Sequence, residues 1–243
     1  MTWLKEESKV KNSVIVFGGL LVVIIVLTYF YCADFLVNPK WPAIISGLLT
    51  GFVVALFQTV LSLRALQKLD KYDSLKIVDI LPTRDDPNYY RPLIQEAEKE
   101  IKIQGVTCKR FLDDFANGEK SAPARNKVLL NALCKNDNLK VKILVAAEAY
   151  LDEEDKSKAL AAMPQLEALS KEFPGRFCYA FYEHKPTHSI MVIDRVSIVG
   201  PSFPHVSSKF SPAIHLKNES KFVEHYLEYF KKEWEKWGEV KKD

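Results

Sequence analysis

Residues 184–203, HKPTHSIMVIDRVSIVGPSF, decide how this chain folds. Residues 189–193 and 196–199 are short apolar runs rich in β-branched side chains, joined by Asp194-Arg195. Such runs around an Asp-led break read as two strands and a tight turn. Asp194 is therefore expected to be a turn residue.

Working outward, the apolar pattern alternates between helical and strand-like periods. Upstream, residues 89–100 read as a helix with Pro92 in its first turn, where a missing N–H costs little. Strands are expected at 101–107, 139–146 and 176–182, and helices at 124–135 and 155–173, the latter interrupted near Pro164. The acidic run Asp152–Asp155 fits a helix N-terminus, where carboxylates meet the positive end of the dipole. Downstream of 212–216, residues 220–237 form an amphipathic helix with Phe222, Val223, Tyr226, Tyr229, Phe230, Trp234 and Trp237 on its apolar side. Strands alternating with helices, then a late cluster of short strands, predict an α/β sandwich with a mixed sheet. The glycine patterns GxGxxG and GxxxxGK[ST] that cradle nucleotide phosphates are absent.

The N-terminal part differs in kind. Residues 14–33 and 41–63 carry no charge at all. About 20 apolar residues suffice to cross a bilayer core, so each run is long enough to span. A cleaved signal peptide would have a shorter apolar core and an Ala-x-Ala-like site. Lys5, Lys9 and Lys11 precede the first run, and Arg64, Lys68, Lys71 and Lys76 follow the second. The connection 34–40 has one lysine. Positive flanks around a nearly uncharged loop place both termini in the cytoplasm. Trp3, Tyr29, Tyr31 and Trp41 lie near the expected interfaces, where amphipathic rings prefer to sit. In the second run Ala43, Gly47, Gly51, Ala55 and Thr59 recur every four residues, a stripe of small side chains that lets helix backbones approach. It serves either as a seam between the two helices of one chain or as a contact between copies. Ser46, Thr50, Gln58 and Ser62 add polar groups that commonly face other helices.

These readings divide the chain into a cytoplasmic N-terminus (1–13), two transmembrane helices (14–33 and 41–63) around a short external loop (34–40), a helical stalk (64–76) and a cytoplasmic α/β domain (77–243). The two apolar runs point away from an ordinary soluble enzyme. A net charge of +3 gives no electrostatic case for nucleic-acid binding. Cys32, Cys108, Cys134 and Cys178 show no metal or disulfide spacing and are read as reduced, buried and structural. No metal or cofactor is expected.

Five chemistry-bearing side chains, His184, Lys185, His188, His205 and Lys209, occur within 26 residues. Converging on the loop edge of a sheet, they would form either an anion-binding cleft for phosphate or nucleotide or a solvated polar edge. The expected ligand-binding set is His184, Lys185, His188, Ser189, Ser202 and His205, and His188 and Asp194 are the catalytic candidates.

The order of elements, the segment 129–145 (LLNALCKNDNLKVKILV) and the 184–203 stretch resemble one half of the phospholipase D-like superfamily. In that family a His is followed two residues later by Lys, five further on by Asp, and by Gly-Ser past the next strand. The resemblance implies a His that attacks phosphorus, a Lys and Gly-Ser region that hold phosphate oxygens, and an Asp that orients a His. This chain departs from the motif. If Asp194 is the family's Asp, Thr187 and Ser189 occupy the His and Lys positions. If His188 is the nucleophile, Ile190 stands where Lys belongs, and the Asp comes one residue early. Because strand side chains alternate faces, one residue of slip turns a group away. Pro201 replaces the serine of Gly-Ser, leaving Ser202 one step on.

The resemblance thus implies a degenerate domain that binds rather than hydrolyses. A two-span anchor carrying such a domain is similar in layout to membrane effectors of bacterial anti-phage systems, including retron-type systems. That similarity implies an inner-membrane effector that disrupts the membrane, a homo-oligomer, and control by a reverse transcriptase with its DNA–RNA product or by a nucleotide ligand. The alternative is an active phosphodiesterase, acting on lipid or nucleic acid, whose site is assembled by two single-motif domains.

Overall fold

The computed structural model describes residues 3–32, 40–203 and 206–238. His205 and most of the 34–40 connection lie outside the described residues. Two units result, Met1–Asp73 and Ser74–Asp243.

The first unit holds two long helices, α1 (Trp3–Cys32) and α2 (Lys40–Ser74). Within them Ile15–Cys32 and Pro42–Ser62 are long and apolar enough to cross a membrane. α2 continues past the apolar run as one helix to Ser74, through most of the segment read as a helical stalk. Reduced exposure runs along Phe17, Leu20, Ile24 and Leu27 in α1, and along Ile45, Leu49, Phe52, Leu56 and Val60 in α2. That three-and-four spacing is one flank of a helix, filled by large side chains. The small-residue stripe lies off this flank. Ala43, Gly47 and Gly51 are exposed and Ala55 is half-buried, and a Cβ added at Gly47 or Gly51 would meet nothing within 4 Å. Nor do the hydroxyls wait for another helix. Thr28, Ser46, Thr50 and Thr59 donate to carbonyls three or four residues back in their own helices, the local bond that Ser and Thr make inside helices.

The second unit is a seven-stranded mixed sheet between two layers of helix. In chain order it runs β1 (Ile77–Leu81), α3 (Pro87–Gln95), β2 (Glu100–Gly105), α4 (Lys109–Phe115), α5 (Val128–Lys135) and β3 (Lys140–Ala146). It continues with α6 (Glu153–Glu172), β4 (Phe177–Tyr182), β5 (His188–Ile193), β6 (Val196–Pro201), β7 (Ala213–Lys217) and α7 (Lys221–Trp237). The strand order is β1-β7-β6-β5-β2-β3-β4. Strands β2, β3 and β4 are parallel, and the remaining neighbours are antiparallel. One core joins Ile101, Ile103, Val141 and Ile143 to Ile94 of α3, Leu112 of α4, Leu129 of α5 and Leu166 of α6. The other joins Leu144, Ile190, Val192 and Val199 to Val223, Phe230 and Trp234 of α7. Alternate residues of β3 and β5 thus serve opposite cores, as strand geometry requires.

Several boundaries differ from the sequence reading, each for a local reason. Asp86 caps α3 by accepting from the Asn88 amide, so that helix starts at Pro87 and Pro92 sits inside it rather than in its first turn. It ends at Gln95, because residues 98–100 donate their amides to Asp194 and turn into β2. Pro164 does not interrupt α6, which runs unbroken from its Asp152 cap. Residues 124–126 are a separate 3-10 turn ahead of α5. No disulfide joins the cysteines, but they are not all buried: Cys32 and Cys134 are exposed, and Cys108 and Cys178 half-buried. Gly200 is required by contact: a Cβ there would lie 2.3 Å from the Pro212 carbonyl oxygen.

Candidate functional site

Four features share one end of the sheet. They are the carboxyl ends of parallel β2, β3 and β4, and the start of β5 where His188 pairs with Pro201 at the end of β6. Ligands of open α/β sheets bind outside the carboxyl ends of parallel strands.

His188 opens β5 on the face that α7 covers. Its Nδ1 lies 2.8 Å from the Thr187 hydroxyl. The ring meets Tyr226 and Tyr229 edge-on, with centroids 5.4 and 5.6 Å away. Among these partners there is no carboxylate to orient the ring and no cation to hold a phosphate. His184 lies over Tyr182, ring centroids 4.6 Å apart, and both of its nitrogens are engaged. Its Nε2 is 2.8 Å from Glu233 Oε2 and 3.3 Å from the Tyr229 hydroxyl, and its Nδ1 is 3.0 Å from the Lys185 carbonyl oxygen. Tyr229 therefore links the two histidines. Burial pushes its hydroxyl above the ordinary tyrosine range, and side-chain bonds from Gln104 and Thr187 oppose that shift. Tyr182, donating to the Gly105 carbonyl, is likewise pushed up by burial.

Asp194 is elsewhere, at the far end of β5. It adopts φ 47° in the β5–β6 turn. Its carboxylate accepts from the amides of Glu98 (2.7 Å), Lys99 (2.8 Å) and Glu100 (2.9 Å). A group so engaged ties the hairpin to the start of β2 and faces neither histidine. Ser189 follows His188 along β5 and so points to the opposite face. Ser202 binds this region through its backbone, its amide donating to the Thr187 carbonyl at 2.9 Å. Lys185 is exposed. The structure thus gathers His184 and His188 around Tyr229 and leaves Asp194, Ser189 and the Lys185 side chain out of that group.

Glu233 and Gln104 escaped the sequence reading, and Tyr229 was read only as part of an apolar helix face. Glu233 and Tyr229 are four residues apart on α7, and the carboxylate at the border of an apolar face was the available signal. Gln104 sits in an alternating strand with nothing to mark it. On the other side of the same sheet end, Cys108 at the start of α4 has its thiol pushed up to about 12 by burial. It is no ready nucleophile, since thiolate is the reactive form.

No protein-family model matches the sequence, and no curated protein does. Solved structures with similar architecture include TrmBL2, an archaeal chromatin protein, at 15% identity and a TM-score of 0.44 over 82% of this chain and 71% of that one. NucT from Helicobacter pylori aligns at 15% identity and a TM-score of 0.40, covering 66% of this chain and 95% of that one. Phosphatidylserine synthase from Haemophilus influenzae Rd KW20 aligns at 9% identity and a TM-score of 0.42, over 65% of this chain and 37% of that one. NucT and the synthase both belong to the phospholipase D superfamily.

Proposed function

We propose that this chain is a membrane-anchored effector. In this reading α1 and α2 cross a bacterial inner membrane as a hairpin with both termini in the cytoplasm. The α/β unit senses a ligand or partner and controls how the hairpins of several copies assemble and disrupt the membrane. One observation carries the reading: a chain with two span-length apolar helices has Asp194 committed to a turn and His188 surrounded by a hydroxyl and two phenols. Charge stabilisation is usually the largest part of such catalysis. A site without its cation is suited to binding. The setting in antiviral defence, with a reverse transcriptase and its DNA–RNA product or a nucleotide as regulator, is supported by likeness of layout alone.

The open faces of Gly47 and Gly51 support contact between copies through α2. Replacing Gly51 with Leu adds bulk where two backbones must nearly touch, and overpacking costs about 1–3 kcal/mol. That corresponds to about one to two decades in an association equilibrium. Gly51→Leu is expected to insert normally, yet to lose crosslinked oligomer and toxicity on overexpression. Val53→Leu, about 200° around the helix from Gly51, is expected to behave as the parent chain does. Parent-like crosslinking and toxicity in Gly51→Leu would overturn assembly through this face.

A further inference from the structure

The cation lacking among the partners of His188 has a counterpart on another segment. Arg84, between β1 and α3, is only 7% exposed. Its Nη2 donates to the Pro201 carbonyl at 2.9 Å, on the residue that pairs with His188, and its Nε to the Ser211 carbonyl at 3.4 Å. The loop is fixed further by the Arg84 amide donating to the Lys209 carbonyl and by Arg110 Nη2 donating to the Arg84 carbonyl. Among the described residues no carboxylate pairs with this guanidinium; the nearby Asp85 is held by Arg110. Burial lowers the pKa of Arg84, so the charge is held at a cost that carbonyl dipoles offset only in part.

Two further buried donors, one on α3 and one on the segment before β7, are unused. The Tyr90 hydroxyl and the Ser211 hydroxyl are buried without a hydrogen-bond partner, in residues 6% and 1% exposed. Ser211 touches Arg84 through its own carbonyl, and Tyr90 interacts electrostatically with both Arg84 and Arg110. Leaving a buried hydroxyl unpaired costs about 1–3 kcal/mol. Two orphaned hydroxyls lack an acceptor and the guanidinium lacks a counter-charge, and one anion with several oxygens would supply both.

We propose that Arg84, Tyr90 and Ser211 form an oxyanion site that takes a phosphate group, as the free ion or as a monoester. Arg84 supplies the fixed charge and the two hydroxyls donate to separate oxygens, a division that suits a tetrahedral anion. Bound there, the anion would bridge the β1–α3 loop, α3 and the segment before β7. This deepens the sensor reading by naming the chemistry of its ligand.

The test is calorimetric titration of the full chain, in a phosphate-free detergent, with inorganic phosphate and with adenosine monophosphate at matched ionic strength. Saturable binding of either supports the site; tighter binding of the nucleotide assigns the monoester, and equal binding assigns the phosphate group alone. Arg84→Gln removes anchors of the fold as well as the charge, so the decisive variants are Tyr90→Phe and Ser211→Ala. Each is expected to weaken phosphate binding about tenfold, as loss of a hydrogen bond to a charged group does. Without ligand, each is expected to melt no lower than the parent, since an unpaired buried hydroxyl is gone. Absence of saturable binding in the parent, or parent-like affinity in both variants, would overturn the proposal. That failure would leave the membrane reading to stand or fall on Gly51→Leu.

Discussion

Asp194 shows how one side chain fixes a register. Its left-handed backbone is one that Asp tolerates better than most residues, and its carboxylate closes three amides across the turn. Asp194→Ala removes three charge-assisted bonds, so a loss of about 2–4 kcal/mol is expected in urea unfolding of the α/β unit. Asp194→Asn, which keeps one oxygen and the tolerance for this backbone, should lose less. His215 is the second residue whose chemistry shows at this scale. It is 4% exposed, with Nδ1 2.6 Å from the Tyr89 hydroxyl and Nε2 buried without a partner. Burial lowers the His215 pKa, opposed by the charge of Asp79. The Tyr89 hydroxyl is pushed up to about 12, mainly by burial and then by Asp79. A histidine favoured in its neutral form contributes stability that is complete above the unfolded value of about 6.5 and is lost as pH falls below it. The melting temperature should therefore drop between about pH 7 and pH 5. His215→Gln should flatten that profile, and an unchanged slope would remove His215 as its cause.

Among the elements, α7 supplies most of the helical cover on its face of the sheet, and Phe230 is its buried anchor at 2% exposure. Phe230→Ala is expected to cost about 3–5 kcal/mol, by lost burial and the cavity left behind. Phe222, 43% exposed at the start of the same helix, should cost under about 1 kcal/mol when truncated. Comparable losses for both would mean that α7 does not pack as described. This helix was legible in the sequence because its apolar positions repeat at helical period and Ser220 caps it. The hairpin of β5 and β6 was legible for the same kind of reason. Other elements left no periodic trace. β1 has three exposed residues in five, so no alternation marks it, and α4 has seven residues behind a left-handed Cys108. The site divides likewise. His184 and His188 stand out as residue types, whereas Glu233, Gln104 and Arg84 matter through neighbours more than forty residues away. Pattern within a short window carries no information about such pairs.

Across the whole molecule, the lysine asymmetry makes a checkable statement about sidedness. A reporter active only outside the cytoplasm, fused after Asp243, should be silent, and the same reporter placed in the 34–40 connection should be active. Strong signal from the C-terminal fusion would sink the assigned topology, because long charged flanks on the outer side violate the positive-inside pattern. The gradient of composition supports this test: two helices apolar enough to span, then a unit whose apolar residues divide between two internal cores.

The pairing of β1 with β7 also sets a schedule. Of the seven described strands β1 leaves the ribosome first and β7 last, yet Leu81 pairs with Ala213 and Ile77 with Leu216. Roughly 130 residues must be synthesised between them, and at about 5–20 residues per second that takes on the order of 10 s. Throughout that interval Val78 and Ile80 have no strand to lean on, while both apolar helices are already synthesised. Both apolar helices are thus complete before the sheet can close, and a ribosome stalled before residue 213 would leave β1 without the strand it pairs with.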